Sequence, residues 1–219
     1  MVISKNMKCC RPILIFLTFY SAISLNAQRS IESPVKDPVK IIEQVNLFSQ
    51  KTTSITAEFT QEKEMSFMEE KVTSYGKFYF QKENLMRWEY TEPFAYAIIL
   101  NGKRIRIIDE GKVKDFDAGS NRMFMEISQV MTGMVNGTLL NSDEFVTTWF
   151  EADGYYRAEM VPAGAMMKEY LAKIDLKLNK KDLSVDELKM FERSGDYTTV
   201  IFRNKRLNET IPADIFRLD

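Results

Sequence analysis

The residue types that carry most enzyme chemistry are scarce in this chain. Histidine is absent from the 219 residues, and the two cysteines, Cys9 and Cys10, both lie close to the N-terminus. Imidazole general bases, Ser-His-Asp arrangements and His- or Cys-based metal sites are therefore excluded beyond residue 27. Neither GxGxxG nor a P-loop occurs among the nine glycines. Carboxylates remain, and a facing pair of them is the machinery of glycosidases. Here they mostly alternate with apolar residues along strand-like stretches, where a charge usually faces water. A carboxylate enzyme is the least favoured reading, and no catalytic residue, cofactor or metal is expected. The informative spacing belongs to apolar residues. Phe78 and Phe80 alternate with Lys77, Tyr79 and Gln81, and Met86, Trp88 and Tyr90 alternate with Arg87 and Glu89. A period of two puts each set on one face of a pleated sheet. The chemistry of such a face is non-covalent: it removes hydrocarbon from water.

That face has to be positioned by the rest of the chain. Lys82-Glu83-Asn84 is the turn that folds its two strands together. Upstream, Lys5, Lys8 and Arg11 precede a mostly apolar run from Ile13 to Ile23, and Ala27 ends a passable cleavage site. This is the layout of a secretory signal peptide over residues 1–27, too short for a membrane span. Residues 28–219 then form one domain of ordinary size. Without the leader, 27 basic residues face 31 acidic ones, a net charge of −4, which argues against a nucleic-acid partner. With no cysteine left to pair, the domain depends on its core alone.

Arg29 to Asp37 reads as a loose arm. From Val39 to about Thr52 the spacing of Ile41, Ile42, Val45 and Phe48 predicts an amphipathic helix. Ser54 to Met65 alternates as a strand carrying Ile55, Ala57 and Phe59, followed by a charged connection over 66–72 that contains Phe67 and Met68. After the opening strand pair, Asn101-Gly102 and Glu110-Gly111 mark tight turns between three short strands. In Asn121 to Asn136 the period changes. Phe124, Ile127, Met131 and Met134 fall on one helical stripe, and its methionines suit a conformable surface. Alternation then resumes in five more strands as far as Asn204. The fold expected is α+β: a single curved antiparallel sheet, an unclosed barrel of about ten or eleven strands, with amphipathic helices as a lid on its concave face.

The order Phe59-Thr60-Gln61, Gly76-x-Phe78-x-Phe80, Asn84-Leu85-x-x-Trp88-x-Tyr90-x-x-Pro93 and Asn101-Gly102-Lys103, behind an amphipathic helix and a signal peptide, resembles the LolA family of periplasmic lipoprotein carriers. The resemblance implies a soluble periplasmic monomer. It would take acylated lipoproteins from an inner-membrane lipoprotein-releasing transporter to an outer-membrane acceptor. It implies lipid-binding roles for Phe59, Phe78, Phe80, Met86, Trp88 and Tyr90, with Phe124, Ile127, Met131 and Met134 from the lid. Lys82 stands where well-studied members have an arginine that holds the lid, and Glu83 where they have proline. Related folds also serve as lipoprotein-sensing regulatory modules and as free lipid or glycolipid carriers, and both remain alternatives.

Overall fold

The computed structural model describes residues 31–117, 133, 138–141 and 143–218. Twelve strands form one antiparallel sheet. In chain order they are β1 (Ser33–Pro34), β2 (Ser54–Glu64), β3 (Val72–Gln81), β4 (Leu85–Glu92), β5 (Tyr96–Asn101), β6 (Arg104–Asp109), β7 (Lys112–Asp117), β8 (Phe145–Ala152), β9 (Tyr155–Pro162), β10 (Leu171–Asn179), β11 (Val185–Glu192) and β12 (Tyr197–Leu207). Their order in the sheet is β1-β8-β9-β10-β11-β12-β2-β3-β4-β5-β6-β7. Helix α1 (Pro38–Lys51) precedes β2, and a short helix α2 (Ala165–Tyr170) precedes β10. Phe116 near one edge and Trp149 near the other belong to one hydrophobic cluster with Ile41 and Val45 of α1. Strands so far apart in order share a core only if the sheet curls around the helix. The architecture is the expected unclosed barrel.

The twelfth strand is the one that alternation does not reveal. Ser33 and Pro34 pair with Glu151 and Phe150, so the arm expected to be loose is stitched to β8. Glu32 reinforces the stitch through hydrogen bonds from Arg157 and Tyr155. Helix α1 begins with Pro38 in its first turn, where the missing N–H costs nothing. It buries Ile41, Val45 and Ser49 at a spacing of four. The helix ends at Thr52, whose extended backbone carries the chain into β2. Residues 165–169, outside any expected element, form α2 together with Tyr170, where alternation predicts the start of a strand.

Gly76 is the tightest point of the sheet. A Cβ there would lie 2.1 Å from the Glu89 carbonyl oxygen and 2.4 Å from Phe59 Cζ. The residue opposite Gly76 on β2 is Phe59, whose ring occupies the space a side chain would take.

The convex face is a charge lattice on the strands from β8 to β11. Arg157 meets Glu32, Glu159 and Asp175, and Lys173 meets Glu159 and Asp175. The Arg157 guanidinium also lies 4.2 Å from the centre of the Phe150 ring. Further along, the C-terminal segment crosses the outside of β4 and β5. Phe216, buried in a 3-10 turn (Ala213–Phe216), accepts a hydrogen bond at its carbonyl from Asn101. Ile99 is only 1% exposed although its neighbours in register are Arg87 and Arg106. The tail therefore explains why β5 is apolar on both faces.

Two measurements test these contacts. Gly76→Ala is expected to lower stability by about 2–3 kcal/mol through overpacking, roughly 4–12 °C in melting temperature; an unchanged melting curve would show that the Phe59 ring is not held there. The Arg157 hydrogen bond holds the Glu32 carboxyl below its ordinary 4.5. A depressed carboxylate contributes stability above its unfolded value and loses it as pH falls through the folded one. The melting temperature should thus drop below about pH 4.5, and Glu32→Gln should flatten that part of the profile.

Candidate functional site

The strand register turns the apolar alternation into rows across the concave face. The first row, Phe80–Met86–Leu100–Ile105, lies at the end where Lys82-Glu83-Asn84 turns. All four side chains are buried. Helix α1 ends here. Lys82 N–H donates to the Thr53 carbonyl, and the Lys82 ammonium donates to the Gln50 carbonyl in the last turn of α1. A cation on those carbonyls complements the negative end of the helix dipole. The turn itself needs Glu83 and Asn84 in the left-handed region, φ 75° and 61°.

The second row, Phe78–Trp88–Ile98–Ile107, is different. Phe78 is buried, but Trp88, Ile98 and Ile107 are only partly covered. The third row, Phe59–Gly76–Tyr90–Tyr96, ends in exposed Asp109. On β4, β5 and β6 cover is therefore thinner away from the α1 end, whereas Phe145, Met160 and Ile174, toward the same opposite end of β8, β9 and β10, stay buried.

Aromatic contacts bind these rows together. The Phe59 ring reaches across the gap at Gly76 to lie 4.7 Å from Trp88 and 5.2 Å from Tyr90, the latter edge-on. Phe78 meets Trp88 at 5.5 Å and Phe202 at 5.8 Å, both edge-on. Offset and edge-to-face rings of this kind add about 0.5–1.5 kcal/mol per pair beyond burial. Polar groups are few. The Tyr90 hydroxyl donates to Gln61 Oε1 at 2.9 Å, and burial pushes its acidity down, raising its pKa. Trp88 Nε1, close to the Tyr90 hydroxyl, and Trp149 Nε1 are buried donors without a hydrogen-bond partner among the described residues. The buried polar residues among the described ones are Ser49, Thr52, Ser54, Ser184 and Thr198, none of them ionisable. Such a face offers contact area for hydrocarbon.

Phe59, Phe78, Phe80, Met86, Trp88 and Tyr90 thus come together on one concave surface. Phe124, Ile127, Met131 and Met134 lie outside the described residues. The 3-10 turn Thr138–Asn141 that follows them puts Leu139 and Leu140 into the same cluster. Lys82 sits in an exposed turn and its helix contact is with α1. Sequence reasoning missed Phe202, which stands opposite Phe59 in register, and Trp149 on β8. The alternation of Val200 with Phe202 is a usable signal for the first. Nothing local marks Trp149, since its place depends on the curl that brings β8 over the concavity.

A family model described as outer membrane lipoprotein carrier protein LolA matches residues 50–219. An outer-membrane lipoprotein carrier protein of Methylococcus capsulatus is 22% identical over 171 residues, covering 78% of this chain and 79% of that protein. Among solved structures, an uncharacterized conserved protein from Thermus thermophilus matches with a TM-score of 0.51 and 9% identity, over 84% of this chain and 95% of that one. A LolA superfamily protein from Nitrosomonas europaea matches with a TM-score of 0.43 and 10% identity, over 84% and 98% respectively. An unclosed antiparallel sheet wrapped on an apolar concavity, and a family match that spans most of the sequence, lead to one assignment: the chain belongs to the LolA family.

Proposed function

We propose that this chain is exported, loses residues 1–27, and works in the periplasm as a carrier. It holds the acyl chains of lipoproteins against the concave face and transfers them from the inner to the outer membrane. A releasing transporter would supply the cargo and an outer-membrane acceptor would receive it. The observation that carries the reading is the second row. Trp88, Ile98 and Ile107 stand in register on three adjacent strands, packed against the core cluster yet only partly covered. A closed structural core leaves no such strip. Membership of the LolA family supports the same reading.

The energetics are consistent with a reversible carrier. A chain of roughly sixteen carbons gains on the order of 10 kcal/mol on leaving water, at ~0.8 kcal/mol per methylene. That is enough to shelter a lipid anchor from water, and release then requires an acceptor that is equally apolar. Within this proposal Phe59, Phe78, Phe80, Met86, Trp88 and Tyr90 contact the chain. Phe124, Ile127, Met131 and Met134 contribute from the segment before Leu139, and Lys82 holds the end of α1.

Two experiments test it. Protein purified from its own periplasm should yield acylated lipoprotein on lipid extraction and mass spectrometry. Recovery of free phospholipid or glycolipid alone would reassign the cargo, and recovery of no lipid at all would overturn the carrier reading. Ile107→Asp places a carboxylate in the open row, where an ionised group is poorly tolerated next to hydrocarbon. Retention of a triacylated lipopeptide is expected to fall at least about tenfold, equivalent to ~1.4 kcal/mol, with the fold intact by circular dichroism.

A further inference from the structure

The large apolar side chains that this fold leaves exposed are unevenly placed. At the end where α1 terminates, the turns are polar: Lys82-Glu83-Asn84, Gly102-Lys103, Asp153-Gly154 and Lys180-Lys181-Asp182. The other end carries Phe67 (78% exposed), Tyr170 (73%) and Phe94 (67%), with Met68 and Tyr75 also exposed. They come from the β2–β3 and β4–β5 connections, the start of β3 and the end of α2, which hydrogen bonds tie into one rim. Arg193 N–H donates to the Tyr170 carbonyl, Ser66 N–H donates to Asp196 Oδ1, and the Thr91 hydroxyl donates to the Tyr75 carbonyl. The β2–β3 hairpin also stands proud of its neighbour. Its pairing continues to Lys63–Val72, three residues past the Tyr75–Glu92 pair, about 10 Å of extra strand.

We infer that this rim enters a lipid surface, and that the protein touches the bilayer directly with the Phe67, Phe94 and Tyr170 loops. The inference rests on the carrier reading for its purpose, but on separate residues. Three features favour lipid over a protein partner. The apolar groups sit on loop tips spaced around a rim, not in one central packed patch of the kind that anchors protein interfaces. A bilayer meets several separated tips at once, whereas a protein would need a matching pocket for each. Phenylalanine and tyrosine are suited to the boundary between headgroups and acyl chains. The rim also lies at the end where the inner faces of β4, β5 and β6 are less covered, so hydrocarbon could pass there between bilayer and concavity without crossing the polar turns at the α1 end. Glu69 and Glu70 beside Met68, with Glu92 and Glu110 on neighbouring turns, are exposed. They would be repelled by an anionic leaflet, which makes a zwitterionic surface the fitting one.

The test is co-sedimentation of the cargo-free protein, lacking residues 1–27, with vesicles of phosphatidylcholine, with and without phosphatidylglycerol. Binding to phosphatidylcholine is expected, and weaker binding as phosphatidylglycerol is added. The double variant Phe67→Ser/Phe94→Ser should reduce binding at least about tenfold by removing two buried aromatic groups. Its melting temperature should not change. Ile31→Ser, at a still more exposed residue away from the rim, should bind as the wild type does. No binding to either vesicle would overturn the inference, as would a double variant that binds normally or binding that needs phosphatidylglycerol. Loss of cargo handover in the double variant without vesicle binding would assign the rim to a protein instead. Because lipopeptide retention reads the concave face alone, a failure here leaves the carrier reading standing, and a failure there leaves the rim.

Discussion

The ring of Phe59 lying in the gap above Gly76 is the contact on which the concave face depends. Strands β2 and β4 are two sheet spacings apart, about 9.5 Å. Their side chains would normally be separated by whatever β3 presents between them. With no Cβ at Gly76, Phe59 spans that distance and meets Trp88 at 4.7 Å with tilted rings and Tyr90 at 5.2 Å edge-on. Three strands become one aromatic surface. Phe202 on the far side of β2 extends it through Phe78 and Trp88. The cost is that position 76 tolerates nothing larger than glycine. A glycine inside a strand weakens it unless something else fills the space, and here an aromatic ring does.

A sheet that curves must treat its two faces unequally. The inner face is apolar, sealed at the α1 end, and less covered away from it on β4, β5 and β6. The outer face keeps its charges in water yet pairs them closely: Arg157 alone touches three carboxylates from the β1 arm, β9 and β10. The arrangement ties the N-terminal arm, as the short edge strand β1, to Phe150 and Glu151 of β8, which covers that part of the sheet edge. The C-terminal tail does a comparable job on the outside of β4 and β5, burying Ile99 and Phe216 away from the main cluster. Both termini therefore act on the sheet from its convex side. Among the described residues, the interior is left to α1 and to Leu139 and Leu140.

Much of this is legible in the sequence for a simple reason. Alternation reports which residues share a face, and eleven of the strands carry it clearly enough to be read, together with α1 and the turn at Asn101-Gly102. The six aromatic and methionine positions from Phe59 to Tyr90 can be assigned to one surface because β2, β3 and β4 are neighbours in sequence and in the sheet. The two-residue strand at Ser33 and Pro34 is invisible, being too short to alternate. Its existence is set by a partner more than a hundred residues away. Helix α2 escapes notice because six residues do not establish a helical period.

The amino-acid sequence by itself determined the periods: strand, helix, turn and the apolar face of each, because these depend only on a residue's near neighbours along the chain. It also determined what chemistry is absent, since a chain without histidine cannot use one. Tertiary structure decided which apolar positions are covered and which stay open. Phe80 and Trp88 look alike in sequence, each apolar and each in a strand, yet one row is sealed where α1 ends and the next is only partly covered. It also decided that Phe67, Phe94 and Tyr170, scattered along the chain, share one end. Cover and coincidence arise from the curl of the whole sheet, a property of long-range pairing that no local pattern encodes.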